Sequence, residues 1–170
     1  EVTSLSRRLI LFNPLFLQPT HICFLNIRTG IYGAITYESP EDLWIATEGY
    51  GLLNYNKRTN ESHYYLIDPS VRFAFNTNII KSVFYEDGYV WCGTTKGEIY
   101  KFNIKTKKFS LYHQYPIEYS IYSIIRDHNG VLWVGGASTE FGLTCFVNDS
   151  LVTTFCNNVD EPIYFSSCYP

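Results

Sequence analysis

Apolar and polar residues alternate along this chain over short runs, and turns containing Gly or Asn break the runs apart. Lys81-Ser82-Val83-Phe84-Tyr85-Glu86-Asp87-Gly88 is one such run. Tyr122-Ser123-Ile124-Ile125-Arg126-Asp127-His128-Asn129-Gly130 is another. Each closes on an acidic-Gly turn, the usual mark of a hairpin. Successive side chains of a strand point to opposite faces, so a period near two predicts strands with one face toward a core. No apolar stripe of useful length recurs at helical spacing. The pattern predicts an all-β protein.

The runs also repeat. Asp42-Leu43-Trp44-Ile45-Ala46-Thr47, Tyr89-Val90-Trp91-Cys92-Gly93-Thr94 and Val131-Leu132-Trp133-Val134-Gly135-Gly136 share a central Trp, with Trp91 47 positions after Trp44 and Trp133 42 after Trp91. That period suits propeller blades and some helical repeats, and the strand pattern decides for blades. A Gly loop follows each Trp strand, at Gly49 and Gly51, Gly97, and Gly142. A third strand follows at Leu52–Asn56, Glu98–Asn103 and Leu143–Val147. The polar turn Asn56-Lys57-Arg58-Thr59 then matches Asn103-Ile104-Lys105-Thr106, and a fourth strand falls near 62–66, 107–112 and 150–155.

Four short antiparallel strands per unit describe a β-propeller blade. The expected organisation is one partial propeller over 1–170, with a degenerate blade at 1–34, blades at 35–68, 79–113 and 121–156, and the start of a further blade at 157–170. The degenerate unit rests on Phe24-Leu25-Asn26-Ile27-Arg28-Thr29, which resembles the stretch Lys101 to Thr106. Only 15 residues separate Thr29 from Trp44, against 32 between Thr59 and Trp91, so roughly one strand is missing. Propellers close with typically about four to eight blades. Three blades and a partial fourth predict either a piece of a larger propeller, the favoured reading, or a four-bladed ring completed by 163–167. Open blade faces of such a piece are expected to be apolar and to drive self-association.

These units resemble the two-component regulator propeller repeat, which reads roughly Ser-Ile-x-x-Asp-x-x-Gly-x-Leu-Trp-Ile-Gly-Thr before a Gly-Leu strand and a Phe-x-x-Tyr strand. Ser123-Ile124, Asp127, Gly130 and Leu132-Trp133-Val134-Gly135 follow it, as do Trp91, Gly93-Thr94 and Phe109-Ser110-Leu111-Tyr112. The first unit departs at Ala46 and at Ser39-Pro40, which disturbs its hairpin. The third departs at Gly136 and in a longer loop over 137–141. The resemblance spans about residues 31–156. It implies the sensor region of a hybrid two-component regulator of Bacteroidetes, on the periplasmic side, binding an oligosaccharide from polysaccharide breakdown. It further implies a membrane helix and a kinase downstream, neither of which is in this chain. The alternative is a propeller scaffold for protein–protein interaction without a small ligand.

Composition refines this picture. Aromatic residues make up 18%, with 15 Tyr, 12 Phe and 3 Trp, and such rings favour strands. A net charge of −3 without a basic stripe argues against nucleic acid as a partner. No apolar run reaches the roughly 18 residues of a membrane helix, so contact with a membrane is expected only through a downstream segment. Arg7-Arg8 before Leu9-Ile10-Leu11-Phe12 resembles a signal peptide, but Asn13-Pro14 interrupts it and a strand is expected instead. Met is absent, so Glu1 is not expected to be a translation start and the chain is expected to be a fragment or processed product. The five cysteines form no Cys-x-x-Cys pair, so neither a zinc site nor a cofactor is expected. Buried free thiols are expected, with Cys156–Cys168 the pair to bridge under oxidising conditions.

Trp44, Trp91 and Trp133 recur at one repeat position flanked by aliphatic residues, which predicts packing between blades rather than sugar stacking. Ligand contacts belong on segments that differ between repeats. The connection from Ile67 to Asn76 is the main candidate: Arg72 offers a forked donor pair for a uronate or sulfate, and Phe73 or Phe75 a ring to stack. Tyr115 and Tyr119 of the second connection follow, then Tyr50 of the first Gly loop. No catalytic residue is expected. Glu41-Asp42 and Glu86-Asp87 fall in repeated turns, where acidic residues cap the bend. A glycosidase needs two carboxylates aimed across one bond. The histidines His21, His63, His113 and His128 are scattered, and solvated turn or strand-edge roles are expected for them. Asn60-Glu61-Ser62 and Asn148-Asp149-Ser150 match the N-glycosylation pattern, which matters only in a secreted eukaryotic chain.

Overall fold

The computed structural model describes residues 31–70, 78–117, 119–138 and 142–155. Every regular element among them is a strand, and twelve strands form three four-stranded antiparallel sheets. The first blade holds β1 (Ile31–Tyr37), β2 (Asp42–Thr47), β3 (Leu52–Asn56) and β4 (Glu61–Tyr65). The second holds β5 (Ile80–Glu86), β6 (Tyr89–Thr94), β7 (Glu98–Asn103) and β8 (Lys108–Gln114). The third holds β9 (Ser120–Arg126), β10 (Leu132–Ala137), β11 (Leu143–Val147) and β12 (Ser150–Phe155). Each blade is a simple meander, so sequence neighbours pair throughout. The expected blade architecture is therefore the observed one. β1 starts at Ile31, inside the stretch assigned to the degenerate unit, and the rest of that unit lies outside the described residues.

Turn chemistry explains the register. Asp87-Gly88 and Asn148-Asp149 each bridge two paired residues with positive φ at both positions, 46° and 81° in the first and 50° and 62° in the second. Two-residue hairpins need that backbone to match strand twist, and Asn, Asp and Gly tolerate it best. In the longer turns, Asn56 Oδ1 accepts from Arg58 N and Thr59 N at 3.0 and 2.9 Å, and Asn103 Oδ1 accepts from Thr106 N at 2.8 Å. This is the reason the two turns share Asn at the same repeat position. Ser39-Pro40 does not prevent the first hairpin: Asp42 N donates to Ser39 Oγ at 3.1 Å, and Tyr37 pairs with Leu43.

The cores lie between blades. On β6, Val90 and Cys92 face the first blade and join Trp44, Ala46, Leu52, Ile80 and Phe102 in one buried cluster. Trp91, next to both, joins Ile99, Ile121, Leu132, Val134 and Phe146 in the second. Strand alternation thus gives each central strand two apolar faces, one per neighbour. Burying one such aromatic side chain removes about 3 kcal/mol of unfavourable hydration. Gly93 lets the blades approach, since a Cβ there would sit 2.4 Å from both Ile121 Cγ2 and Ser82 Oγ. Backbone and side chain also cross the interfaces: Tyr85 N donates to Thr36 Oγ1 at 3.1 Å, and Ser82 Oγ to Ile121 O at 3.1 Å.

Candidate functional site

In an antiparallel meander the β2–β3 loop and the link to the next blade fall at the same end of the sheet. The two candidate connections start there, and the structure treats them differently.

The first link is clamped at its base. Asn78 is buried; its Oδ1 accepts from Asp68 N at 3.1 Å and its Nδ2 donates to Asp68 O at 3.4 Å. Asp68 in turn accepts from Ser70 N and Ser70 Oγ at 2.9 and 2.6 Å, and the Ser70 hydroxyl holds its carboxyl below the ordinary carboxylate range. Asn78 O also accepts from Gly51 N at 2.9 Å. The base of the link is thereby joined to the loop carrying Tyr50. That loop is fixed as well: Thr47 Oγ1 donates to Gly51 O at 2.7 Å. Gly51 has φ 70°, and a Cβ there would lie 2.2 Å from Tyr65 O. Arg72, Phe73 and Phe75 lie outside the described residues. Two anchors were missed in the sequence, Asn78 and Asp68, because a single Asn or Asp in a polar loop carries no spacing signal.

Tyr50 stands half-buried on this loop, its ring 6.0 Å from that of Tyr64, which is 40% exposed. Burial, then the neighbouring Tyr50, pushes the Tyr64 phenol above its ordinary value. Glu48 pairs with Lys81 of β5 at 3.9 Å. Tyr100 on the adjoining β7 is pushed up to about 12, first by burial and then by Glu98 and Asp68. The described surface here combines paired aromatic rings with both signs of charge.

The second link is packed into the blade interface. Tyr115 is 1% exposed and Tyr119 0%, with ring centroids 4.6 Å apart. The Tyr115 hydroxyl bonds Thr144 Oγ1, and Tyr119 Oη donates to Gly142 O at 2.9 Å. Both rings are filled in on all sides, so the two tyrosines proposed as ligand contacts are placed in the core. The aromatic richness that drew attention to this link is explained by packing.

At the opposite end of the blades, a carboxylate holds each repeat Trp. Trp44 Nε1 donates to Glu38 Oε2 at 3.4 Å, Trp91 Nε1 to Glu86 Oε2 at 3.1 Å, and Trp133 Nε1 to Asp127 Oδ2 at 2.9 Å. Trp44 and Trp91 are buried between blades, while Trp133 is half-buried. Glu86 additionally pairs with Arg126 of the third blade at 2.6 Å, and the guanidinium sits 5.3 Å over the Trp91 ring. Of the adjacent carboxylates read as turn caps, Glu86 serves an indole, whereas Asp42 accepts from Ser39 Oγ and Asn56 Nδ2 at 3.1 and 2.8 Å. Among the described residues no group of three or more His, Cys, Asp or Glu converges. Cys92 and Cys145 are buried free thiols, and burial pushes the Cys92 thiol well up. The Cys156–Cys168 pair lies outside the described residues.

The fold and its interblade Trp positions define a β-propeller assembled from four-stranded blades. Residues 116–138, the latter part of the second link with all of β9 and β10, match the model of the two component regulator propeller family, so the chain carries that repeat. Histidine kinase P4 of Formosa agariphila is 27% identical over 120 residues, covering 65% of this chain and 8% of that protein. The extracellular domain of a B. thetaiotaomicron protein described as a hybrid two component system superposes with a TM-score of 0.60 at 23% identity, covering 77% of this chain and 19% of that one. The extracellular domain of one described as a one component system gives 0.60 at 19% identity, covering 84% and 18%. The chain therefore spans less than a fifth of these relatives.

Proposed function

We propose that the chain is part of the extracytoplasmic sensor propeller of a hybrid two-component regulator. In this reading it binds an oligosaccharide on the periplasmic side and signals to a kinase carried elsewhere in the protein. The carrying observation is the clamped base of the Asp68–Asn78 link beside the Tyr50 loop. A rigid base lowers the entropy lost when a variable loop closes on a ligand. Tyr50 and Tyr64 supply ring faces for sugar C–H groups, and Arg72 supplies the forked donor for an acidic sugar. Binding transmits a signal only if it favours one arrangement of blades, or of associated copies, over another. Self-association through blade faces, such as the Trp133 side of the third blade, belongs to the same reading.

Thermal melts against plant, host and microbial oligosaccharides test it. A ligand that binds only the folded form raises the midpoint, by an amount that grows with its concentration. The expected result is a shift with one glycan class that Arg72→Ala and Tyr50→Ala both reduce. A sharp melt with no shift for any glycan supports the protein-interaction scaffold instead.

A further inference from the structure

Of the four histidines, His63 and His128 are exposed, and His21 lies outside the described residues. His113 lies on an edge strand, one of the two places expected for it, and is half-buried there. It sits on β8, the outermost strand of the second blade, with its ring against the third. Its centroid lies 4.7 Å from Tyr115 at 83° and 5.0 Å from Phe146 at 71°. Its Nε2 is buried without a hydrogen-bond partner. A neutral imidazole tolerates such a place, whereas an imidazolium needs solvent or a counter-charge that aromatic edges do not supply.

The charged groups named on the elements around it are engaged elsewhere. The Tyr115 hydroxyl is taken up by Thr144. On β7, Glu98 accepts from Thr94 Oγ1 at 3.3 Å, Tyr100 is bonded to Glu98, and Lys101 lies 4.3 Å over Trp91. On the third blade, Asp149 accepts from Tyr112 Oη at 3.0 Å, and Cys145 is a buried free thiol. Burial alone acts on the imidazole and lowers its affinity for a proton below the ordinary 6.5.

We propose that His113 makes the joint between the second and third blades acid-sensitive, stable with a neutral imidazole and loosened when it is protonated. The sign follows from linkage. A folded-state value below the unfolded one means that the unfolded chain binds more protons in that window. The contribution is then complete above 6.5 and is lost as pH falls from there through the folded value.

The test is urea unfolding of the chain across pH, with His113→Phe and His113→Gln alongside, together with NMR titration of the His113 Hε1 resonance. The unaltered chain is expected to lose up to about tenfold in its folding constant per pH unit within that window. Both variants should lose that component, and Hε1 should titrate below 6.5. Titration at or above 6.5, or a variant with the parent's pH dependence, overturns the proposal. If His113→Phe fails to fold, His113→Gln carries the comparison, and the NMR titration needs no variant.

Discussion

At the scale of single residues, the repeat Trp joins burial to a polar tether. Its ring fills the space between blades while its N–H is satisfied by a carboxylate at the hairpin, which avoids the cost of an unpaired donor. Trp91 is fully buried and Trp133 is not. Trp91→Ala should therefore cost about 3–5 kcal/mol by urea unfolding, and Trp133→Ala clearly less. The tether also has a pH signature. The Trp133 N–H, ahead of the Val131 and Asn129 amides, holds the Asp127 carboxyl below its ordinary 3.8. Asp127 thus contributes stability that is complete above 3.8 and fades as pH falls through the lowered folded value. Asp127→Asn should flatten that part of the acid limb, measured as unfolding midpoints between about pH 5 and pH 2. The tryptophans were visible in the sequence through their spacing. Of their carboxylate partners, Glu86 and Asp127 were visible only as turn residues and Glu38 not at all, because the bond depends on how each indole is oriented over the hairpin.

At the scale of elements, the strands follow from local pattern and the contacts between blades do not. Turn residues with a positive-φ requirement, such as Asn148-Asp149, mark hairpins from sequence alone. The Glu86–Arg126 pair joins β5 to β9 across 40 positions, and no local rule anticipates it. Both side chains are about three-quarters buried, at 25% and 23% exposed, which limits solvent screening. A double-mutant cycle of Glu86→Gln and Arg126→Met should give a coupling of about 1 kcal/mol. The two links show the same limit from the other side. Both are aromatic and lie between blades, yet Tyr115 and Tyr119 are buried while Tyr50, on a mere Gly loop, keeps part of its ring at the surface. Side-chain type is shared by a core and a sugar platform, so composition does not separate them.

At the scale of the whole molecule, each described blade packs on its neighbour through its own cluster, as in other repeat architectures. Stability then resembles a sum of blade and interface contributions. Hydrogen exchange should report this: Trp44→Ala should lower protection mainly in β1–β7 and leave β10 and β11 nearly unchanged. Trp91→Ala, at the next interface, should lower protection in both the second and third blades. Uniform loss of protection in both variants would mean that the blades unfold as one unit.

The sequence by itself determined the all-β class, the four-strand unit, its turns and the Trp position, because strand periodicity and turn backbone preferences are local properties written within about ten residues. Only the tertiary structure decided which aromatic residues are core, which loop has a clamped base, which carboxylate meets which indole, and that His113 buries its Nε2 beside the Tyr115 and Phe146 rings. Those outcomes depend on the distance between blades, and residues that are remote along the chain set that distance together.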